Sequence, residues 1–218
     1  MNQVLKDILF LDIETVSQTY DYDSLDERIK SQWSRKASFL KKDERQTDAE
    51  LFLERAGIYA EFGKIIVIGL GFFHEQDNSL QFRTKVLSNH DEAVLLNEFR
   101  AVMTKMSPDL RLCGHNGKEF VFPYLSRRML INGISLPDVL NLSGKKPWEV
   151  KHLDTMDMWK FGDWKHYTSL DLLAAIFDIA SSKSDMDGSM VNEAYHQQEG
   201  LQKIAEYCLR DVVVTAKL

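Results

Sequence analysis

The sequence predicts an α/β fold built on a mixed β-sheet. Three observations carry that reading. An apolar run, Ile8-Leu9-Phe10-Leu11, leads into the acidic pair of Asp12-Ile13-Glu14. A β-rich segment, Lys64 to Phe73, is followed by an alternating one, Ser79 to Leu87. Helical periodicity then alternates with short strands to the end of the chain.

Asp7 to Ile13 reads as a central strand. Asp12 and Glu14 stand two residues apart at its end, so both carboxylates project to one face of the sheet. Burying them costs free energy unless something positive neutralises them, and a divalent metal is the expected partner.

From Tyr20 to Ala60 charges of both signs alternate with spaced apolar residues such as Leu25, Ile29, Trp33, Phe39, Leu51 and Phe52. This is helical periodicity, read as a helical insertion at about 20–60. Its basic members, Arg28, Lys30, Arg35, Lys36, Lys41 and Lys42, either flank a groove or make a solvated helix face. Lys64 to Phe73 is a buried strand and Ser79 to Leu87 its hairpin partner. Gly69-Leu70-Gly71 lies inside that strand, lacks a third glycine and opens no helix, so it is not a dinucleotide loop.

Asp91 to Met106 is an amphipathic helix capped near Asn89 or His90 and closed by Pro108. Leu110 to Cys113 is a short strand, Gly114-His115-Asn116-Gly117 a turn, and Glu119 to Ile131 a helix. His152 to Thr155 reads as a further strand. Ser169 caps a helix to Ile179, with Leu172, Ile176 and Phe177 in the core. Ser181 to Ser189 is a polar loop, and Asp185-Met186-Asp187-Gly188 within it reads as a cap for the helix behind it. The last helix, from Leu201, reaches Leu218 without a cap or breaker, the pattern of a cut boundary. The whole, 1–218, reads as one domain.

Composition narrows the function. The 218 residues are 44% hydrophobic and 28% charged, as in an ordinary globular protein. No stretch has the length of a membrane helix, and the N-terminus is not a signal peptide. Cys113 and Cys208 lack metal-type spacing, which fits a reducing, cytoplasmic setting. The net charge of −6, from 27 basic and 33 acidic residues, counts against a passive nucleic-acid binder. It does not count against a nuclease that carries positive charge as bound metal.

Two further blocks complete a constellation. Tyr207 and Asp211 are four apart on a helix and share a face. Leu112 to Leu125 (LCGHNGKEFVFPYL) runs from a strand through an Asn-containing turn into a helix. Together the three blocks resemble the motifs of DEDD-type 3′–5′ exonucleases with a ribonuclease H-like fold. They resemble most the free-standing bacterial family of predicted exonucleases related to the proofreading domain of family B DNA polymerases. The resemblance runs from about Asp7 to the end and extends to Thr168-Ser169-Leu170-Asp171 and to Ser182 through Gly188. Tyr207 marks the tyrosine subtype; the histidine subtype needs His where Glu206 stands.

The resemblance implies hydrolysis of terminal phosphodiesters of single-stranded nucleic acid, DNA more than RNA, with two Mg²⁺ or Mn²⁺ ions. It implies that Asp12 bridges the metals and that Glu14 and Asp211 complete the water-activating site. Tyr207 orients the attacking water, and Thr15, His115, Asn116 and Phe120 contact the 3′-terminal nucleotide. One position departs: where the family has Asp in the middle block, this chain has Val121, which cannot ligate metal. A substitute ligand (Glu119 being nearest), a degenerate relative and a single change in a competent framework are the competing explanations. Retention of the other motif residues favours the last. A non-catalytic binding module and a ribonuclease acting on RNA ends are the alternative functions.

Overall fold

The computed structural model describes residues 5–41, 45–107, 109–163, 167–180, 186–197 and 200–218. Pro108, Lys42, the Lys165-His166 pair and residues 181–185 of the polar loop lie outside these.

Strand β1 (Ile8–Ser17) sits in the middle of a five-stranded sheet of order β3-β2-β1-β4-β5. β2 (Gly63–Gln76) and β3 (Ser79–Ser88) form an antiparallel hairpin beside it, as read from their alternation. β4 (Arg111–Gly114) and β5 (Leu153–Asp154) run parallel to β1 on its other side. The mixed sheet flanked by helices is therefore observed.

β1 starts one residue later than expected and runs four residues past Ile13, so Asp12 and Glu14 lie inside the strand. They stand where only one neighbour remains. Pairing with β4 ends at Phe10 opposite Cys113, whereas pairing with β2 continues to Ser17. The short β4 leaves an opening beside the carboxylates.

The two faces of β1 separate by its period of two. Leu9, Leu11 and Ile13 join a core with Leu95, Leu96 and Phe99 of α3 (Glu92–Met103) and with Leu125 and Met129 of α4 (Phe122–Ile131). Ile8 and Phe10 face Val212, and Val16 faces Tyr207 and Cys208, all on the long C-terminal helix α8 (Leu201–Lys217), with Val191 and Ala194 of α7 (Val191–Gln197) in the same cluster as Val16. Asp12 and Glu14 share that second face.

α8 can lie close to β2 because Gly69 and Gly71 carry no side chain. A Cβ at Gly69 would stand 2.9 Å from Val212 Cγ2 and 3.0 Å from Cys208 Sγ. The two glycines that do not make a dinucleotide loop thus set the depth at which α8 meets the carboxylates.

The insertion holds α1 (Glu27–Leu40) and α2 (Asp48–Arg55). They bury Trp33, Ala37, Leu51 and Phe52 in a cluster closed by Phe62, while Phe39 is 82% exposed. Lys30 pairs with Asp23 and Lys41 with Asp48, and Lys36 lies over the Tyr59 ring, so these cations serve local contacts.

Three further readings are corrected. The N-cap of α3 is Asp91, whose carboxylate accepts from the N–H groups of Ala93 and Val94. Residues Gly117–Val121 form a π-type turn before α4 begins at Phe122. Ser169 does cap α6 (Leu170–Ile176), but this short helix buries only Leu173 and Ala174; Leu172, Ile176 and Phe177 are exposed.

Arg128 is buried. It makes a buried ion pair with Glu92, and its Nη1 donates to Ala60 O at 2.8 Å. Glu92 also accepts from the Ile65 N–H at 2.7 Å and from Asn132 at 2.9 Å. The pair joins α3, α4, β2 and the end of the insertion. Arg128→Ala leaves Glu92 buried without its counter-charge and lowers unfolding stability by about 3–5 kcal/mol. Urea denaturation of the two proteins measures it.

Candidate active site

Asp12 and Glu14 open into a cleft of about 280 Å³. Its other walls come from the end of β4 and the π-turn (His115, Asn116, Phe120, Val121), the start of α6 (Ser169, Asp171), and α8 (Tyr207, Asp211). The three sequence blocks meet here. Glu14 is 8%, Asp211 9% and Tyr207 6% exposed, so the acids sit in a poorly solvated place.

The electrostatics follow from that crowding. Burial, and then the Asp211 charge, push the Asp12 carboxyl up to about 8. Burial, Asp12 and Asp211 raise Glu14 well above the usual carboxylate range. Each acid opposes ionisation of the others, so without a counter-charge the cluster retains protons at neutral pH. Burial and the adjoining acids Asp211 and Glu14 also raise Tyr207, which stays a neutral phenol. Its hydroxyl hydrogen-bonds Asp211, one helical turn further along α8.

Cys208 was not among the residues expected at the site. Its sulfur and the carboxylates of Asp12 and Glu14 lie within 4.8 Å of one another. Burial and the neighbouring acids hold this thiol protonated, so the ionised donors are oxygens. A set of crowded carboxylates with raised proton affinity fits a hard divalent cation such as Mg²⁺ or Mn²⁺. The residues that could hold it are Asp12, Glu14 and Asp211.

The opposite wall is organised by Asp154, which the sequence reading placed in a strand without a role. It is 1% exposed at the end of β5. One carboxylate oxygen accepts from the Asn116 N–H and the other from the Lys118 N–H, each at 3.0 Å. The same group caps α5 (Thr155–Lys160) by accepting from Met156 N–H. This holds Asn116 in the left-handed region at φ 58°, from which the π-turn starts. The Asn116 Oδ1 is buried without a hydrogen-bond partner.

His115 spans two elements. Its Nε2–H donates to Thr168 O at 2.8 Å, since a carbonyl can only accept. Nδ1 therefore accepts from the Thr155 hydroxyl at 3.0 Å. Burial holds the imidazole below its ordinary pKa, which keeps this neutral form.

Thr15 is not brought to the cleft. A register shift separates it from Glu14, and its hydroxyl bonds Tyr124, a member of the core on the other face. Val121 is at the cleft, but as its floor: it is 1% exposed and packs into the core. Glu119 does not take its place. It is exposed, 3.9 Å from Lys160, and lines a separate groove on the far side of the π-turn.

A mixed sheet whose central strand carries buried acids beneath the last helix defines the class as an α/β, ribonuclease H-like exonuclease fold. The chain belongs to the family described as predicted 3′-5′ exonucleases related to the exonuclease domain of PolB, whose model matches residues 58–218. The match covers His115 through Val121, Tyr207 and Asp211; Asp12 and Glu14 precede it. No curated protein matches the chain. Membership supports a nuclease-type hydrolase and implies a nucleic-acid substrate. Among the described residues no helix is long and apolar enough to cross a membrane.

Proposed function

We propose that this protein is a metal-dependent 3′–5′ exonuclease acting on single-stranded ends, and that Val121 impairs it. The observation that carries the reading is the cluster of Asp12, Glu14 and Asp211 beside a neutral Tyr207. Such a cluster opposes its own ionisation and is relieved by divalent cations. Bound Mg²⁺ or Mn²⁺ supplies an activated water and neutralises charge on the departing oxygen.

The chain's own groups do the rest. Asp12, Glu14 and Asp211 place negative charge where the cations bind. Tyr207 keeps its proton and orients the attacking water by hydrogen bonding. Asn116 and Phe120 meet the terminal nucleotide, with the free Asn116 Oδ1 as an acceptor for it. His115 positions this wall through its two hydrogen bonds.

Water adds to phosphorus, the bond to the 3′ oxygen of the penultimate nucleotide breaks, and that oxygen takes a proton. Preference for DNA rests on the family's relation to PolB. A cytoplasmic setting belongs to the same reading, since both cysteines are buried free thiols.

Val121 favours one alternative, a non-catalytic nucleic-acid-binding module. With Mn²⁺ and a 3′-labelled single strand, the enzyme reading expects slow release of label that Asp12→Ala abolishes. Strand binding without turnover, in the protein and in its Val121→Asp variant alike, would favour the module. Faster release from RNA than from DNA would instead support a ribonuclease.

A further inference from the structure

We propose that Tyr167 is the second aromatic wall of the subsite for the terminal base, closing it against Phe120. This rests on the exonuclease reading above and names a residue for which the motifs give no role.

Tyr167 lines the same cleft as Asp12, Asn116 and Phe120, yet its side chain is 69% exposed. Among the described residues its ring makes no aromatic contact. An aromatic ring left open to water beside a carboxylate cluster gains nothing for the fold, but it offers a flat apolar face to a ligand.

Its placement is fixed from the C-terminal side. The next residue, Thr168, accepts the His115 Nε2–H at 2.8 Å, and Ser169 caps α6 by accepting from the Leu172 N–H at 3.2 Å. The ring is therefore exposed on an anchored backbone. Burial and the charges of Asp12 and Asp154 raise its phenol, which remains protonated.

Phe120 is held in turn by a tilted contact with Tyr124, ring centroids 5.3 Å apart. A nucleobase has two faces. Phe120 offers one support, and Tyr167 supplies the other. Stacking of this kind tolerates any base, because each has a π-face, but it requires that a base be present. The subsite would thus sense the presence of a terminal base and not its identity.

The test uses the full chain, Ca²⁺ in place of Mg²⁺, and a single strand carrying fluorescent 2-aminopurine at its 3′ end. A second strand ends in an abasic nucleotide and is followed by anisotropy. Tyr167→Ala is expected to weaken binding of the first strand by roughly 5- to 100-fold and to leave the second unchanged. Tyr167→Phe, which keeps the ring, is expected to bind the first strand within about twofold of the unsubstituted protein.

Equal binding of the first strand by Tyr167→Ala and the unsubstituted protein would overturn the inference alone. So would equal losses on both strands, the mark of a merely structural role. If the unsubstituted protein binds neither strand, the exonuclease reading fails and this inference fails with it.

Discussion

Val121→Asp is expected to raise Mn²⁺-supported release of terminal nucleotides by roughly 10²-fold or more, the equivalent of about 3 kcal/mol of transition-state stabilisation. Val121 forms part of the cleft floor, reached from the same space as Asp12. Val branches at Cβ and Asp one atom further out, but Asp is no larger, so the substitution adds charge without overfilling the site. The new carboxylate would help to hold a divalent cation in the cleft. It also has a cost. The position is 1% exposed and faces a core of Leu and Phe side chains, so without metal the variant is less stable than its parent. Rate and metal-free stability therefore move in opposite directions. Single-turnover assays on a 3′-labelled strand, with melting curves in EDTA, measure the two.

The second large effect comes from Asp12→Asn. In the Val121→Asp background it is expected to remove turnover by roughly 10³-fold, because a neutral amide would not supply the negative charge that Asp12 would offer a cation. Its effect on stability has the opposite sign. Asp12 titrates near 3.8 when unfolded, and folding raises it to about 8. Between these values the folded state holds a proton that the unfolded state has released. Stability is thus full below the unfolded value and falls as pH rises through the folded one, by about 1.4 kcal/mol for each pH unit of that window.

The cation reverses this, since it binds the ionised form and stabilises the fold in proportion to its occupancy. In EDTA, Asp12→Asn should melt at a higher temperature than its parent at pH 8 and near the same temperature at about pH 3.5, below the unfolded value. Added Mn²⁺ should raise the melting temperature of the parent at pH 8 much more than that of the variant. Scanning calorimetry at the two pH values, with and without Mn²⁺, resolves these shifts.

The sequence made the sheet legible because its strands obey the period of two and its hairpin alternates cleanly. Asp12 and Glu14 stood out by a local rule, acids following an apolar run. Asp154 follows only Lys151, His152 and Leu153 in a two-residue strand, so that rule has no apolar run to act on. What Asp154 does, fixing both Asn116 and Lys118, depends on a loop nearly forty residues away and has no local sign.

The Glu92–Arg128 pair is similar. Both residues read as ordinary helix charges until packing brings them together. α6 was misread in the opposite direction: its apolar residues matched a helical period, but so short a helix turns only Leu173 and Ala174 inward. Tyr167 belongs to no periodic segment. Only the fold brings it to the cleft that holds the acids.

The central claim is that the Asp12, Glu14 and Asp211 cluster drives hydrolysis from a 3′ end. The most direct measurement incubates Val121→Asp protein with Mn²⁺, a linear single strand labelled at its 5′ end and a circular strand of the same sequence. The account predicts a ladder of labelled products shortened one nucleotide at a time from the 3′ end, with the circle intact. A folded protein that leaves both strands untouched, or one that cuts the circle, would contradict it.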